Sequence, residues 1–392
     1  MIFVLAKFLE PAEVGLYGLF VVTVTYLVMA VGFDFYTHAS RDLIMSDQSQ
    51  WCGLLRDQGV FYGLAYVAVL PFGVAIFFLE YLPWSLGIWF IVLLMLEHLA
   101  QEFNRVLVAI SEPIWASIVL FLRSGLWAIV LAICLWQVPV ARTLDFVFAA
   151  WTVGAASACL LAASRLGRLD RRSLSRNVDW SWIRRGAKVA FPFLLATLSL
   201  RALYTFDRYW IDAIGGLEVV SAYVLFIGVA NAIAGFLDAA VYSFAYPKLV
   251  ALAGKGNMVD FRSQLKLMTV QALSGVIVLG GLALVVIYPL VQWLDRPIYL
   301  ERFDLAYWCV LVGVLASLSM IPHFALYACR RDKAIVLIHL LSLPVFLLAG
   351  FILIPLMEAA AVPAALAASF LFILIAKAAA YSQWSASDVR RA

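Results

Sequence analysis

Two arginines sit where a charge is expensive. Arg123 lies in LeuPheLeuArgSerGly (120–125) and Arg201 in SerLeuArgAlaLeuTyr (199–204), each well inside a continuous apolar stretch. A charged side chain at the centre of a membrane helix costs about 2.5–3.5 kcal/mol on insertion scales, so each needs a partner, water or a function. Helical spacing extends the pattern. Arg201, Tyr204 and Arg208 follow i, i+3, i+7 and share a face, with Asp207 beside it. Asp34, His38 and Arg41 follow i, i+4, i+7, and so do His98, Glu102 and Arg105. Asp238 stands one face-turn beyond Asn231. Guanidinium stays charged and meets phosphate bidentately. The chemistry spelled out is reception of an anionic group in a water-filled cavity between two halves of the chain. The alternative is a set of intramembrane ion pairs that only fasten helices. For Asp34, Arg41 and Arg105, close to an interface, snorkelling to water is a further plain explanation.

The elements that must position these groups are membrane helices. Of 392 residues, 65% are hydrophobic and only 13% charged, which excludes a soluble domain. Apolar segments recur at 16–33, 60–79, 84–99, 114–136, 146–163, 187–205, 220–242, 268–290, 305–321, 335–354 and 359–380. Each is near the length that crosses about 30 Å of hydrocarbon at 1.5 Å per residue. They are continuously apolar rather than alternating, so a barrel is disfavoured, and a helix satisfies its own backbone in lipid. The expected fold is all-α: a polytopic membrane protein of about eleven or twelve helices in two six-helix lobes. The apolar fragment 1–9 is too short to cross, and reads as the last turns of a truncated first helix, with a start site placed too far downstream.

Charge placement orients the helices. With the connection after the first full span inside, 21 of the 28 basic residues face the cytoplasm, Lys377, Arg390 and Arg391 among them. Only Lys7, Arg142, Arg208, Arg296 and Arg302 fall outside, and Arg123 and Arg201 lie within spans. The positive-inside rule then puts the C-terminus in the cytoplasm. The most basic connection, 165–188, reads as topogenic charge that includes Arg171. It separates an N-terminal lobe (1–164) from a C-terminal lobe (189–380) and a cytoplasmic tail (381–392). Weak self-similarity agrees: Val14, Tyr17, Leu19, Phe20, Tyr36 and Leu43 match Val220, Tyr223, Leu225, Phe226, Tyr242 and Leu249 at one constant offset. That is the pattern of parallel repeats. Trp51, Trp84, Trp89, Trp136, Trp293 and Trp384 near span ends read as an interfacial belt.

Enzyme chemistry finds no foothold. There is no P-loop, no Ser/His/Asp order, no HExxH and no glycine-rich phosphate cradle, and the outer connections are short. The five cysteines have no metal or disulfide spacing and read as buried hydrophobes, and the four histidines are scattered. No cofactor and no metal are expected. A net charge of +4 is too small to imply nucleic-acid binding.

Several runs carry a family likeness. LeuAlaLysPheLeuGluProAlaGluValGlyLeuTyrGlyLeuPhe (5–20), GlyPheAspPheTyrThrHisAlaSerArgAspLeu (32–43), ProPheLeuLeuAlaThrLeuSerLeuArg (192–201) and PheAspArgTyrTrpIle (206–211) are four of them. AlaTyrProLysLeu (245–249) and ProHisPheAlaLeuTyrAlaCysArgArgAspLys (322–333) complete the set. Together they resemble polysaccharide-export flippases of the multidrug/oligosaccharidyl-lipid/polysaccharide superfamily, over essentially the whole chain. The resemblance implies alternating access by two lobes in the bacterial inner membrane. It implies as cargo an undecaprenyl-pyrophosphate-linked oligosaccharide moved to the outer leaflet, as in O-antigen-type pathways, with a polysaccharide polymerase as a possible partner. Carried over residue by residue, it makes Arg41, Arg123 and Arg201 substrate-binding candidates, with Tyr204 and Arg208 on the face of Arg201. Asp34, Asp207 and Asp238 become candidates for coupling to H⁺ or Na⁺. The alternatives are a cation-coupled multidrug antiporter of the same superfamily and, from another class, a polysaccharide polymerase or ligase. A cationic cargo calls for acidic cavity residues, and a polymerase for a sizeable outer loop.

Overall fold

The computed structural model describes residues 1–170 and 172–389, with side chains through 383. Arg171, Arg390, Arg391 and the Trp384 side chain lie outside the described residues. Among the described residues there are helices and no strands. The chain is a polytopic, all-helical membrane protein of two lobes.

A short α1 (Ile2–Phe8) leads into α2 (Pro11–Gly32), α3 (Tyr36–Met45), α4 (Gln48–Phe78), α5 (Gly87–Ala109), α6 (Pro113–Phe121), α7 (Trp127–Gln137) and α8 (Leu144–Leu166). Then come α9 (Trp180–Leu237), α10 (Ser243–Gly254), α11 (Met258–Leu294), α12 (Pro297–Glu301), α13 (Asp304–Ala328), α14 (Asp332–Met357) and α15 (Ala361–Val389). Among the described residues, nine helical stretches are long and apolar enough to cross a membrane. Two of them, of 75 and 52 residues, are too long for one crossing. The first breaks at Gly216, whose φ of 75° and ψ of 179° only glycine adopts without strain. The second breaks at Glu358, where φ is 50°. Read with these breaks, the stretches match the apolar segments of the sequence one for one.

Local chemistry sets several ends. The Thr143 hydroxyl accepts from the Phe146 N–H at 3.3 Å, and Asn257 Oδ1 accepts from the Asp260 N–H at 3.2 Å, two ordinary N-caps. Pro113 and Pro297 open their helices at positions where a missing N–H costs nothing. Two helices carry a π-turn in their interior. Leu122–Leu126 joins α6 to α7, and Asp238–Tyr242 joins α9 to α10. One turn contains Arg123 and the other contains Asp238.

Contacts divide the chain into two compact units. Leu19–Leu198, with Met1, form one; Ile2–Gly18 and Ser199–Ala392 form the other. The seam therefore falls inside α2 and α9, and the basic 165–188 connection lies wholly in the first unit. In that unit Phe20 packs against Phe90, Phe148 and Trp151, and Phe35 stacks on Phe61 at 4.1 Å. The second unit holds the start of α2 by close approach. A Cβ on Gly15 would lie 2.0 Å from the Leu217 carbonyl oxygen, so the two backbones meet only because residue 15 has no side chain. Lys7 donates to the Trp293 carbonyl at 2.7 Å, and Arg296 meets Glu10 at 3.2 Å. Its core gathers Leu237, Tyr242, Leu249, Phe261, Met268 and Val310.

Candidate functional site

In the first unit, α5 is a ladder of buried polar groups. Glu97, His98 and Glu102 are all buried, and each has a specific neighbour. Arg123 Nε donates to Glu97 Oε2 at 2.7 Å, and its Nη2 donates to Gln101 Oε1 at 3.2 Å. Trp151 Nε1 donates to the other oxygen of Glu97 at 2.6 Å. One turn on, Tyr62 donates to Glu102 Oε2 at 2.5 Å and Gln58 Nε2 donates to it at 3.2 Å. Arg105 closes the set, 2.5 Å from Glu102 Oε1 and stacked 3.7 Å from the Tyr36 ring centroid. His98 Nδ1 lies 3.0 Å from the Tyr66 hydroxyl.

This geometry changes the expectation for Arg123. Its guanidinium is committed to Glu97, an acid that was not among the sequence candidates, and is not a bare cation on a wet wall. The available signal was the spacing of Glu97 and Gln101, i and i+4 on one face of α5. The expected i, i+4, i+7 face of Asp34, His38 and Arg41 is also corrected. Phe33 and Asp34 both take positive φ, 54° and 50°, so the helix is broken between α2 and α3. Asp34 holds that break from within: its Oδ2 accepts from Thr197 Oγ1 at 2.6 Å and its carbonyl accepts from Thr37 Oγ1 at 2.9 Å. Arg41 is exposed on α3.

In the second unit the expected Arg201–Tyr204–Arg208 face splits into three environments. Arg201 is exposed, Tyr204 is half-buried and Arg208 is buried. Arg208 donates to the Tyr204 carbonyl and lies 3.7 Å from Asp207 Oδ1. Asp207 is fully enclosed and accepts from the Tyr223 hydroxyl at 2.6 Å and from the Arg208 N–H at 2.6 Å. Asp207 and Arg208 thus form a closed pair.

The open space lies elsewhere in this unit. A cavity of about 470 Å³ is lined by Tyr204, Asp238, Tyr242, His323, His339 and Lys377, together with apolar and small residues. Lys377 was expected at the cytoplasmic end of its helix. Instead it is 1% exposed and reaches the cavity from the body of α15. Its ammonium lies 3.2 Å from His323 Nδ1. The His323 and His339 rings stack with centroids 5.9 Å apart and planes 5° apart. Among the described residues no carboxylate comes within ion-pair distance of Lys377. Of the sequence candidates, Tyr204 and Asp238 are brought together here. His323 and His339 read as scattered in the sequence because they are distant along the chain and meet only when α13 and α14 pack. No cluster of metal ligands occurs among the described residues.

The fold has known counterparts. A multidrug resistance MATE family transporter of the MOP superfamily, in its inward-facing conformation, is similar to this chain with a TM-score of 0.82 at 14% identity. The match covers 98% of this chain and 93% of that one. An outward-facing conformation of a transporter described in the same words gives 0.64 at 14% identity, over 99% and 91% of the two chains. A MATE structure in a bent conformation gives 0.62 at 11% identity, over 98% and 96%. No family model matches, and no curated protein matches. At such identities the likeness establishes the fold: that of the MATE transporters.

Proposed function

We propose that this chain is a secondary transporter of the alternating-access type, and not an enzyme. The observation that carries the reading is the fold itself: two helical lobes, matched over nearly their whole length to transporters solved facing inward and facing outward. For the cargo we favour a polyprenyl-pyrophosphate-linked oligosaccharide, carried from the cytoplasmic to the outer leaflet of a bacterial inner membrane. Three features support it: the sequence resemblance to polysaccharide-export flippases, the buried Lys377 amine on a cavity, and the exposed Arg201. A pyrophosphate headgroup leaving a negative interior gains roughly 2.3 kcal/mol per charge per 100 mV, so the potential alone can drive it. The C-terminus then lies in the cytoplasm, and H⁺ or Na⁺ coupling falls to Asp238 or to the acids of α5.

A second reading has its own support. The solved structures that share the fold are multidrug transporters, and the first unit buries Glu97 and Glu102, acids suited to coupling a cation or meeting a cationic drug. Two bacterial hosts separate the readings. One lacks its own flippase and accumulates lipid-linked glycan inside; the other lacks its drug-efflux pumps. Restored surface glycan in the first, without drug resistance in the second, is the expected result. Resistance alone would replace the cargo assignment with the antiporter.

A further inference from the structure

The cavity that supports the cargo reading through Lys377 also brings two histidines to that residue. Lys377 Nζ and His323 Nδ1 are 3.2 Å apart, and His339 stacks on His323 from the neighbouring helix. An ammonium at that distance donates to a neutral imidazole. A second proton on the pair would set two cations against each other in surroundings of low dielectric, where their repulsion is strong. An anion bound against the pair offsets that repulsion.

The other titratable groups on the cavity wall are few. Tyr204 comes from α9, and Asp238 and Tyr242 come from the π-turn. Tyr242 is occupied, its hydroxyl donating to the Ser317 carbonyl at 2.7 Å. Asp238 lines the same cavity but makes no ion pair with Lys377. From α13, α14 and α15 come His323, His339 and Lys377. The space is far larger than one water, whose share of liquid volume is about 30 Å³, and its donors converge from three helices. That suits an oxyanion with several acceptor oxygens.

We propose that this cavity is a proton-linked anion site. A phosphoryl-type anion binds against Lys377 and His323, and one proton is taken up onto the histidine pair as it binds. The proton comes from solvent, no covalent bond is made or broken, and release of the anion returns the proton. The site deepens the anionic-cargo reading but is tested apart from it, because binding is measured without transport.

The probe is inorganic pyrophosphate, titrated calorimetrically into the full chain in phosphatidylcholine nanodiscs. Running two buffers of different ionisation enthalpy counts the protons. We expect saturable binding with net proton uptake near neutral pH. Lys377→Met, similar in length and compatible with burial, should weaken binding about tenfold or more, as loss of a charge-assisted partner does. Lys377→Arg should retain binding, which separates charge loss from misfolding. A double His323→Gln, His339→Gln variant should still bind but take up no proton. Repeating the titration in phosphatidylglycerol nanodiscs identifies the source: competition marks a lipid headgroup as occupant, and unchanged affinity marks a free phosphoryl anion. Absence of saturable binding in phosphatidylcholine, wild-type affinity in Lys377→Met, or binding without proton uptake would each overturn the proposal. Failure to restore surface glycan in cells, with binding intact, would instead overturn the cargo assignment.

Discussion

At the scale of single residues, Arg123 decides how the charges at depth should be understood. Its guanidinium and the Glu97 carboxylate form a 2.7 Å pair, with Trp151 on the second oxygen. Removing one partner of such a pair leaves an uncompensated charge, at a cost of about 3–5 kcal/mol, whereas replacing both is often nearly neutral. Arg123→Met alone should therefore lower the thermal unfolding temperature in detergent, and adding Glu97→Gln should restore most of it. A stable double variant that still transports at the wild-type rate would assign the pair to helix fastening. A stable double variant that has lost transport would give it a part in the cycle. The sequence made Arg123 conspicuous but not its partner: the spacing of Glu97 and Gln101 marks a polar face on α5, and only packing shows which cation meets it. Lys377 shows the same limit from the other side: a cation near a span end looks topogenic until the neighbouring helices are seen to enclose it.

At the scale of elements, the spans were legible because lipid leaves the backbone no choice but the helix. Their interruptions were not. The break at Phe33–Asp34, the left turn at Gly216 and the two π-turns arise from local backbone states that apolar composition does not encode. π-turns are often found at functional sites, and here each carries an intramembrane charge, Arg123 or Asp238. The break before α3 also brings a pH response. His38 on α3 packs against Trp182 at 5.1 Å and lies 3.6 Å from Asp42. Burial pushes its pKa below the usual histidine value, Arg185 and Arg41 push the same way, and Asp42 opposes them only in part. The neutral ring is thus favoured in the folded protein. The stability it contributes is present above the unfolded value of about 6.5 and is lost as pH falls through the lowered folded value. Lowering the pH toward 5 should loosen α3 from the start of α9, read as a change in Trp182 fluorescence, and His38→Asn should flatten that response. A response of equal size in the variant would place its origin in another group.

At the scale of the whole molecule, two helical lobes share the fold of MATE transporters. The first lobe buries Glu97 and Glu102 of α5 in closed networks, and the second holds a cavity lined by the buried Lys377. The most direct measurement of the central claim uses proteoliposomes containing this chain and a headgroup-labelled polyprenyl-pyrophosphate oligosaccharide confined at the start to one leaflet. Arrival of the label at the opposite leaflet is followed with a membrane-impermeant quencher under an imposed potential. The account predicts label crossing that depends on the protein, speeds up when the destination side is positive, and slows in Lys377→Met. Crossing no faster than in protein-free vesicles, while the same preparation exchanges ethidium across the membrane, would contradict it.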